Sequence, residues 1–399
     1  MATDNYIRRT LKCVFLPVAL LILCIAPMQR IHAEVFISQK YGYAIDLPEA
    51  FRTVQQDSDG KGFLFSHTIL PVTLAVKIYD SGEYATADTA LSAVFGKLGA
   101  EGERSAVSWR NTDCVLASFR MQSIQAGTAQ KGWAVSADLP GRKEQIILLC
   151  YADESKEDNC EQFILSVLDS LMIDRGSFFE PGIVTAFAYP GSTEKDIDLS
   201  IGGTVIHTKI DAEAAEAARF VIAREYAVLT LYAQHKKWKE AWQRYYRMIF
   251  RDSYARLEKP SQDIYQALLP QAVKTDNKNP EAEIAQILLT WIQNSSYVRD
   301  PKNADFTDLP SALTGAASDC DSRSLLLCVL MEHMGVKATL FISREYSHAV
   351  AGFDIDRKGA RMETGGKNYL LAETTAHVKI GLMASDMSDS GKWIPVELP

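Results

Sequence analysis

The sequence predicts an α+β protein: an N-terminal antiparallel sheet with helices on one face, a helical middle region and a C-terminal mixed domain. Three observations lead to this prediction. Residues 41–175 read in order as strands, a helix, three strands and a second helix. Residues 211–270 keep apolar side chains at helical spacing. After residue 280, two helical segments precede several short apolar runs typical of strands.

The first 33 residues have the composition of an export signal. Arg8, Arg9 and Lys12 precede an apolar stretch over residues 13–28, and Ala33 ends a pattern compatible with cleavage. The apolar stretch is short for a membrane span. We therefore predict a signal peptide over residues 1–33 and a periplasmic or secreted protein of the bacterial cell envelope. An uncleaved anchor is the alternative, and only then would the protein contact a membrane.

Composition and charge limit the class of protein. The chain has 399 residues, of which 47% are apolar and 23% charged, as in globular proteins of two or three domains. Its formal net charge is −8. Because residues 1–33 hold four basic residues and one acidic residue, the remainder carries about −11. This acidity argues against nucleic acid or an anionic membrane as the main partner.

Five cysteines follow the predicted signal peptide, and their odd number leaves at least one thiol without a disulfide partner. Export would permit disulfides. Cys150 and Cys160 flank a predicted loop and either pair with each other or serve as small buried apolar residues. The other three are Cys114, Cys320 and Cys328.

Residues 34–176 are predicted to form the accessory domain that contains the antiparallel sheet. Strand-like runs occupy residues 41–47, 62–66, 73–79, 114–121, 133–139 and 145–151, and helical patterns occupy 86–98 and 160–173. The opening run Tyr43-Ala44-Ile45-Asp46-Leu47-Pro48 and the order of elements after it resemble the Mog1/PsbP-like fold. Since this segment contains no catalytic constellation, we expect it to bind a partner or to position the rest of the chain.

Residues 177–275 are predicted to connect the two outer domains. Runs 196–201 and 204–210 alternate around Gly202-Gly203, which is typical of a hairpin with a two-residue turn. Helices are predicted over residues 211–238, 240–254 and 260–270. The second carries Trp242, Tyr245 and Tyr246 at a spacing that favours core packing over a ligand-binding stripe. The polar residues 275–280 mark the next boundary.

In the last predicted domain, residues 276–399, a thiol, an imidazole and a carboxylate lie on separate elements: Cys320, His348 and Glu373. Cys320 precedes a helix predicted to run to about Met334, with Asp319 or Ser318 as the N-cap. The helix N-terminus and His348 would both lower the pKa of the thiol. Glu373, at the end of a strand over 369–372, would hold the other ring nitrogen of His348. The backbone N–H of Cys320 is the candidate oxyanion donor.

Each of these residues has a structural alternative. A single cysteine before an apolar helix is usually buried and inert, and a single histidine on a strand is usually structural. Their order and spacing are what favour catalysis. Cys328, eight residues after Cys320, is read as core. Spacing excludes a zinc site made of Cys320, Cys328, His333 and His348, and the sequence predicts no metal and no cofactor.

These residues resemble the transglutaminase-like superfamily of papain-like fold, in its bacterial form, over residues 280–380. The matching segments are Leu288-Leu289-Thr290-Trp291-Ile292-Gln293-Asn294, the loop Leu309-Pro310-Ser311-Ala312-Leu313, Asp319-Cys320-Asp321-Ser322-Arg323, Ser347-His348-Ala349 and Tyr369-Leu370-Leu371-Ala372-Glu373-Thr374-Thr375. The resemblance implies that 276–399 is a transglutaminase-like catalytic domain. The chain departs from the family's pattern at three positions: Ser318 replaces a common glycine, Val350 a tryptophan and Glu373 the more common aspartate. These departures bear on the substrate and the type of reaction more than on the identity of the triad.

The sequence therefore predicts an exported thiol enzyme that acts on an amide bond of a protein or peptide substrate through a thioester. A cysteine peptidase or amidase is favoured over an acyltransferase that passes the acyl group to an amine. The first alternative is a catalytically inactive binding or scaffold protein of the cell envelope. The second is an envelope assembly factor whose N-terminal domain finds a partner that the C-terminal domain processes.

Overall fold

A computed structural model describes residues 35–122, 127–142, 144–191, 193–299 and 304–399. The predicted signal peptide over residues 1–33 lies outside the described residues. Within the described ranges, no helix has the length and apolar character needed to cross a membrane. The described residues form one compact unit of mixed α and β structure with several antiparallel sheets.

The N-terminal region is built on an antiparallel sheet in which seven of the described strands pair in the order β3-β4-β5-β9-β8-β7-β6. A second, smaller sheet has the strand order β1-β2-β10. The strands are β1 Phe36–Ser38, β2 Tyr43–Ile45, β3 Phe51–Gln56, β4 Gly62–His67, β5 Val72–Tyr79, β6 Arg104–Trp109, β7 Thr112–Gln122, β8 Ala129–Asp138, β9 Gln145–Asp153 and β10 Leu171–Met172. The helices are α1 Ala87–Leu98, α2 Glu154–Glu157, α3 Glu161–Asp169 and α4 Ile183–Ala188, with a 3₁₀ turn at Gly176–Phe179.

Helices cover both faces of this sheet, so the prediction of helices on one face is wrong. Helix α1 packs with Val115, Ala117 and Ile147, whereas α3 packs with the alternate positions Leu116 and Leu148. Because successive side chains of a strand point to opposite faces, the continuous apolar run over residues 146–150 requires cover on each side. A continuous apolar run of this kind is typical of a strand in a sheet that is buried on both faces.

The middle region consists of a hairpin and three helices. The elements are β11 Glu194–Ile201, β12 Thr204–Asp211, α5 Ala214–Thr230, α6 Trp238–Arg256 and α7 Glu258–Thr275. The turn residues Gly202 and Gly203 both have positive φ, at 59° and 81°, as a type I′ turn requires. The hairpin prediction is confirmed.

Two helix boundaries differ from the prediction. Helix α5 ends at Thr230 rather than at 238, because Tyr232 turns into the core, where its hydroxyl donates to the Glu49 carbonyl at 2.6 Å. Helix α7 continues through Pro270 to Thr275. Proline removes one helical hydrogen bond, but Leu268 and Ala272 on either side of it are completely buried, and their packing outweighs that loss.

The C-terminal region places one buried helix against an antiparallel sheet, whose described strands pair in the order β15-β16-β14-β13-β17. The helices are α8 Pro280–Gln293, α9 Leu309–Leu313 and α10 Cys320–His333, with 3₁₀ turns at Ser385–Met387 and Ser390–Lys392. The strands are β13 Ala338–Ser343, β14 His348–Phe353, β15 Arg361–Thr364, β16 Lys367–Ala372 and β17 Ile394–Glu397. The predicted helices after residues 280 and 320 are confirmed, whereas the predicted loop at 309–313 is a short helix capped by Asp308.

One apolar core extends from the hairpin through α6 and α7 to α10 and the C-terminal sheet. The proposed division at residues 176 and 275 stays a prediction. The N-terminal sheet region joins the central helices through buried charges. Arg244 on α6 donates to Glu225 on α5 at 2.7 Å, to the Asp46 carbonyl at 2.8 Å and to the Ser166 hydroxyl at 3.0 Å. Further bonds run from Arg224 to Asp169 and from Arg251 to the carbonyls of Asp169, Leu171 and Ser177.

Candidate active site

Cys320 is the first residue of α10. Asp319 is the N-cap: its backbone is extended and its carboxylate accepts from the Ser322 N–H at 3.0 Å. The prediction of a cap at this position is confirmed. The Cys320 N–H belongs to the first helical turn, whose N–H groups have no partner inside a helix. The Cys320 side chain is buried, with 3% of the residue exposed.

Arg323 fixes this end of α10 to the surrounding loops. It is 1% exposed, and its guanidinium donates to the Ser295 carbonyl at 2.7 Å, to the Thr374 carbonyl at 3.2 Å and to the Ser318 hydroxyl at 3.3 Å. Ser324, one residue further, donates to the Ala349 carbonyl at 3.2 Å. The helix that carries the thiol is therefore tied to the residues that follow both Glu373 and His348.

The structure brings His348 and Glu373 together. His348 opens β14 and Glu373 directly follows β16; these strands pair with Ala351 opposite Ala372. The His348 Nε2 and Glu373 Oε2 lie 2.7 Å apart, and both side chains are about nine-tenths buried, at 10% and 8% exposed. Because Nε2 is bonded to the carboxylate, Nδ1 is the ring nitrogen that remains for proton transfer.

Glu373 is held in place from several sides. Its other carboxylate oxygen accepts from the Thr375 N–H at 2.7 Å and from the Thr375 hydroxyl at 2.6 Å, and its carbonyl accepts from Gln293 at 2.8 Å. Burial acts to raise the pKa of this carboxyl, but the hydrogen bond and charge of His348, with the two Thr375 bonds, bring the pKa below its ordinary value. Glu373 is thus an ionised group suited to orient His348 and to stabilise its protonated form.

The thiol makes its hydrogen bond to a different residue. The Cys320 Sγ donates to Asp321 Oδ1 at 3.1 Å, and the second Asp321 oxygen accepts from the Tyr246 hydroxyl. The Ala349 N–H, next to His348 in sequence, also interacts with the sulfur. Among the described residues, no hydrogen bond joins the thiol to the His348 ring.

The pKa of the Cys320 thiol is raised, whereas the sequence predicts that it is lowered. Burial is the largest cause, followed by the charge and hydrogen bond of Asp321 and the charge of Asp319. The Ala349 N–H acts in the opposite direction but does not overcome these effects. In this arrangement the adjacent carboxylates outweigh the helix N-terminus, so the thiol carries its proton.

The two aspartates that flank Cys320 share this environment. Burial and the charge of Asp321 raise the pKa of Asp319 to about 7, although the Ser322 bonds partly offset the shift. Burial also raises the pKa of Asp321, against the stabilising hydrogen bonds from Tyr246 and Cys320. The site therefore takes up protons at a pH where ordinary carboxyl groups are ionised.

Four residues next to these groups are not assigned to the site by the sequence prediction. Tyr246 lies 75 residues before Asp321, in the aromatic helix α6, whose spacing predicts core packing. The Trp393 ring lies edge-on to His348, with centroids 6.3 Å apart. Tyr297 is half exposed and interacts with Cys320, and burial together with the Cys320 charge raises its pKa to about 12. Asp321 could have been found, because it adjoins Cys320 in the motif.

The other cysteines and histidines considered for a disulfide or a zinc site lie outside this site. Cys328 is buried inside α10, where its sulfur donates to the Thr339 carbonyl at 3.5 Å. Cys150 and Cys160 lie in the N-terminal core and form no disulfide with each other. His333 contacts the Tyr254 carbonyl at 2.8 Å. No three His, Cys, Asp or Glu side chains in the described ranges are grouped so as to hold a metal ion.

Comparison with known proteins found similar solved structures but no similar sequence. No protein family model and no curated protein sequence matches the chain. Among solved structures, cyanobacterial PsbP (CyanoP) of Synechocystis is 16% identical, with a TM-score of 0.29 over 35% of this chain and 91% of that one. The Ran-binding protein Mog1p of Saccharomyces cerevisiae is 8% identical, with a TM-score of 0.26 over 33% and 90% of the two chains. LpqN of Mycobacterium tuberculosis, involved in cell envelope biogenesis, is 13% identical, with a TM-score of 0.26 over 33% and 83%.

The N-terminal region thus resembles PsbP- and Mog1-like structures at low identity and over part of the chain. The transglutaminase-like assignment of residues 276–399 stays a prediction.

Proposed function

We propose that the protein is an exported thiol enzyme of transglutaminase-like type that cleaves an amide bond in a protein or peptide. The observation that carries the proposal is the 2.7 Å bond between His348 Nε2 and Glu373 Oε2, next to a helix that begins with Cys320. A buried histidine oriented by an ionised carboxylate is the arrangement that general acid–base catalysis requires.

The proposed reaction proceeds in two halves. The Cys320 sulfur attacks the amide carbonyl as its proton passes to His348 Nδ1, and the Cys320 N–H stabilises the developing oxyanion. His348 then gives that proton to the leaving amine, and a thioester remains on Cys320. Water, deprotonated by His348, attacks the thioester and releases the acid and the thiol. Glu373 keeps its proton-free state throughout and balances the charge of the ring.

Hydrolysis is proposed in preference to transfer to an amine, and a single assay separates them. The full chain without residues 1–33 is incubated with a defined peptide mixture, with and without a dansylated alkylamine, and products are identified by mass spectrometry. Cleaved peptides without dansyl incorporation support a hydrolase. Dansylated peptides would identify an acyltransferase instead.

The variants Cys320→Ala, His348→Ala and Glu373→Gln test the assignment of roles. We expect complete loss of product for the first two and a loss of about 100-fold or more for the third, because the ring loses its charged partner. Cys328→Ala is the matched control, since Cys328 lies on the same helix and is fully buried, and it should keep activity. Equal product from wild type and Cys320→Ala would refute the proposal.

One observation favours the alternative of a catalytically inactive binding or scaffold protein of the envelope. The thiol is bonded to Asp321 rather than to His348, and its pKa is raised. If that arrangement were permanent, iodoacetamide would not label Cys320 at any pH between about 5 and 9, the range in which an ordinary thiol of pKa about 8.5 begins to react. Labelling of Cys320 within this range would exclude a scaffold protein in which Asp321 holds the thiol permanently.

A further inference from the structure

The Cys320 thiol is hydrogen-bonded to a carboxylate that a tyrosine also holds. The Sγ donates to Asp321 Oδ1 at 3.1 Å, and Tyr246 donates to the other oxygen. The bond between Tyr246 and Asp321 joins helix α6 to helix α10. The three side chains therefore form a chain of donors and acceptors that ends on the proposed nucleophile.

Titratable groups from four elements face Asp321. The two on its own helix segment, Asp319 and Cys320, are joined by Tyr245 and Tyr246 on α6, His348 on β14 and Asp305 in the segment before α9. Asp305 is in turn paired with Arg299, at 2.7 Å. Apart from the ring of His348, which is positive only when it is protonated, the groups named here that face Asp321 are neutral or negative.

An ionised Asp321 disfavours a thiolate on Cys320, because the two negative charges would lie within hydrogen-bond distance of each other. Like charges in a partly buried site disfavour each other's ionised forms, so an ionised Asp321 keeps the sulfur protonated. When Asp321 takes up a proton, the repulsion disappears and its O–H becomes a donor to the sulfur. The same bond can then stabilise the thiolate instead of the thiol.

We propose that Asp321 is a positioning residue that holds the nucleophile protonated at rest and releases it when Asp321 gains one proton. The proposal deepens the thiol chemistry proposed above and rests on it. In the resting state Sγ carries its proton, Asp321 is ionised and the His348 ring is neutral. After Asp321 takes a proton from solvent, the thiol proton passes to His348 Nδ1, while the Nε2 proton stays on the bond to Glu373. The active state contains one proton more than the resting state.

This proton count fixes the direction of the pH dependence. Thiol reactivity should rise as pH falls through the pKa of the aspartate pair, which is raised above the ordinary carboxyl value and reaches about 7 for Asp319. An ordinary thiol does the opposite, because it loses thiolate as pH falls. Tyr246 donates to the ionised form of Asp321 and therefore favours the resting state.

The test is the rate at which iodoacetamide labels Cys320 in the full chain without residues 1–33, followed by mass spectrometry from pH 5 to 8.5. Removal of one adjacent charge shifts a thiol pKa by about one unit or more, so Asp321→Asn should label at least about tenfold faster than wild type at pH 8. The two rates should converge at pH 5. Tyr246→Phe should move the wild-type profile to higher pH. Asp196→Asn, an exposed carboxylate on the hairpin, is the matched control and should leave the profile unchanged.

Two results would overturn the inference: an Asp321→Asn thiol no faster than wild type at pH 8, or a wild-type rate that rises with pH as for a simple thiol. Should Asp321→Asn fail to fold in a thermal melt, the shift expected for Tyr246→Phe decides the question. The labelling and cleavage assays together distinguish failure of the proposed hydrolase activity from failure of this inference. Fast labelling of Asp321→Asn without peptide cleavage by either protein would refute the hydrolase and leave this inference standing.

Discussion

The protonation of the Cys320 thiol depends on the balance between a helix N-terminus and two neighbouring carboxyl groups. The sequence predicts that Asp319 caps the helix, and it does. The same pattern predicts an activated thiol, but the neighbouring Asp321 reverses the shift of the thiol pKa. A helix N-terminus contributes a partial charge of about half a unit, whereas an adjacent carboxylate contributes a whole one. Counting both charges in the motif Asp319-Cys320-Asp321 would have given the observed direction.

His67 is a buried residue whose protonation the fold opposes. The Leu70 N–H donates to its Nδ1 at 2.9 Å, so Nε2 carries the proton and bonds the Glu49 carbonyl at 2.7 Å. Burial is the main cause that lowers the pKa of His67 to about 4, with a smaller contribution from His235. The folded protein therefore binds fewer protons at this site than the unfolded chain between pH 6.5 and 4.

We expect His67 to contribute stability that is present above about pH 6.5 and is lost as pH falls towards 4, by at most about 3 kcal/mol. The measurement is the free energy of urea unfolding against pH, taken as the difference between wild type and His67→Gln. A difference is needed because burial raises the pKa of the nearby Glu49 carboxyl to about 7, which changes stability in the opposite direction. His207→Gln, on the exposed hairpin, is the control. An identical pH dependence for wild type and His67→Gln would show that His67 is protonated without cost.

At the scale of elements, the sequence predicts types better than ends. Helices α8 and α10 begin where Pro280 and Asp319 predict, because their start signals are local. The sequence does not predict strands β3 and β6. Most side chains of β3 are exposed, so it lacks the alternating apolar pattern by which strands are recognised. The extension of α7 through Pro270 is likewise decided by tertiary packing rather than by the residue itself.

Strand β14, which carries His348, depends on the absence of a side chain at Gly352. A Cβ at this position would lie 2.7 Å from Phe341 Cε2 and 3.0 Å from the Tyr369 Cβ. These rings lie on the neighbouring strands β13 and β16 and fill the space over the glycine. We expect Gly352→Ala to destabilise the protein by about 1 to 3 kcal/mol, as overpacking of a close contact does.

Urea unfolding measures this effect, and the helical glycine Gly96 provides the control. A Cβ on Gly96 would meet nothing within 4 Å, so Gly96→Ala should raise stability by about 0.5 to 1 kcal/mol through helix propensity. The two variants make the same chemical change with opposite expected sign. A neutral Gly352→Ala would mean that Phe341 moves aside without cost.

Contacts between residues far apart in sequence connect the whole molecule, and no local pattern predicts them. Tyr246 meets Asp321, and two residues earlier on α6, Arg244 meets Asp46 across 198 positions. No periodicity or spacing encodes such a pair. Helix α6 thus contacts the N-terminal sheet region at one side chain and the candidate active site at another. Helix α6 is therefore the element through which the N-terminal region would affect the position of the thiol.

A substitution of Arg244 tests whether the N-terminal region and the rest of the protein unfold together. It is 2% exposed and bonds Glu225, the Asp46 carbonyl and Ser166. Replacing it with methionine keeps an unbranched apolar stem but leaves the Glu225 carboxylate without this partner. Breaking a buried ion pair on one side typically costs about 3 to 5 kcal/mol, so we expect Arg244→Met to lower the free energy of unfolding by about that amount.

Whether the unfolding curves from different probes coincide is more informative here than the midpoint of unfolding. If the buried charges couple the N-terminal region to the rest, wild type should unfold in one step by circular dichroism and by tryptophan fluorescence, with coincident curves. Arg244→Met should separate them, because Trp109 and Trp133 report the N-terminal sheet and Trp291 and Trp393 the C-terminal part. Lys209→Met, an exposed cation on the hairpin, should leave the curves coincident. Coincident curves for Arg244→Met, at any loss of stability, would show that the shared apolar core rather than the buried charges unites the protein.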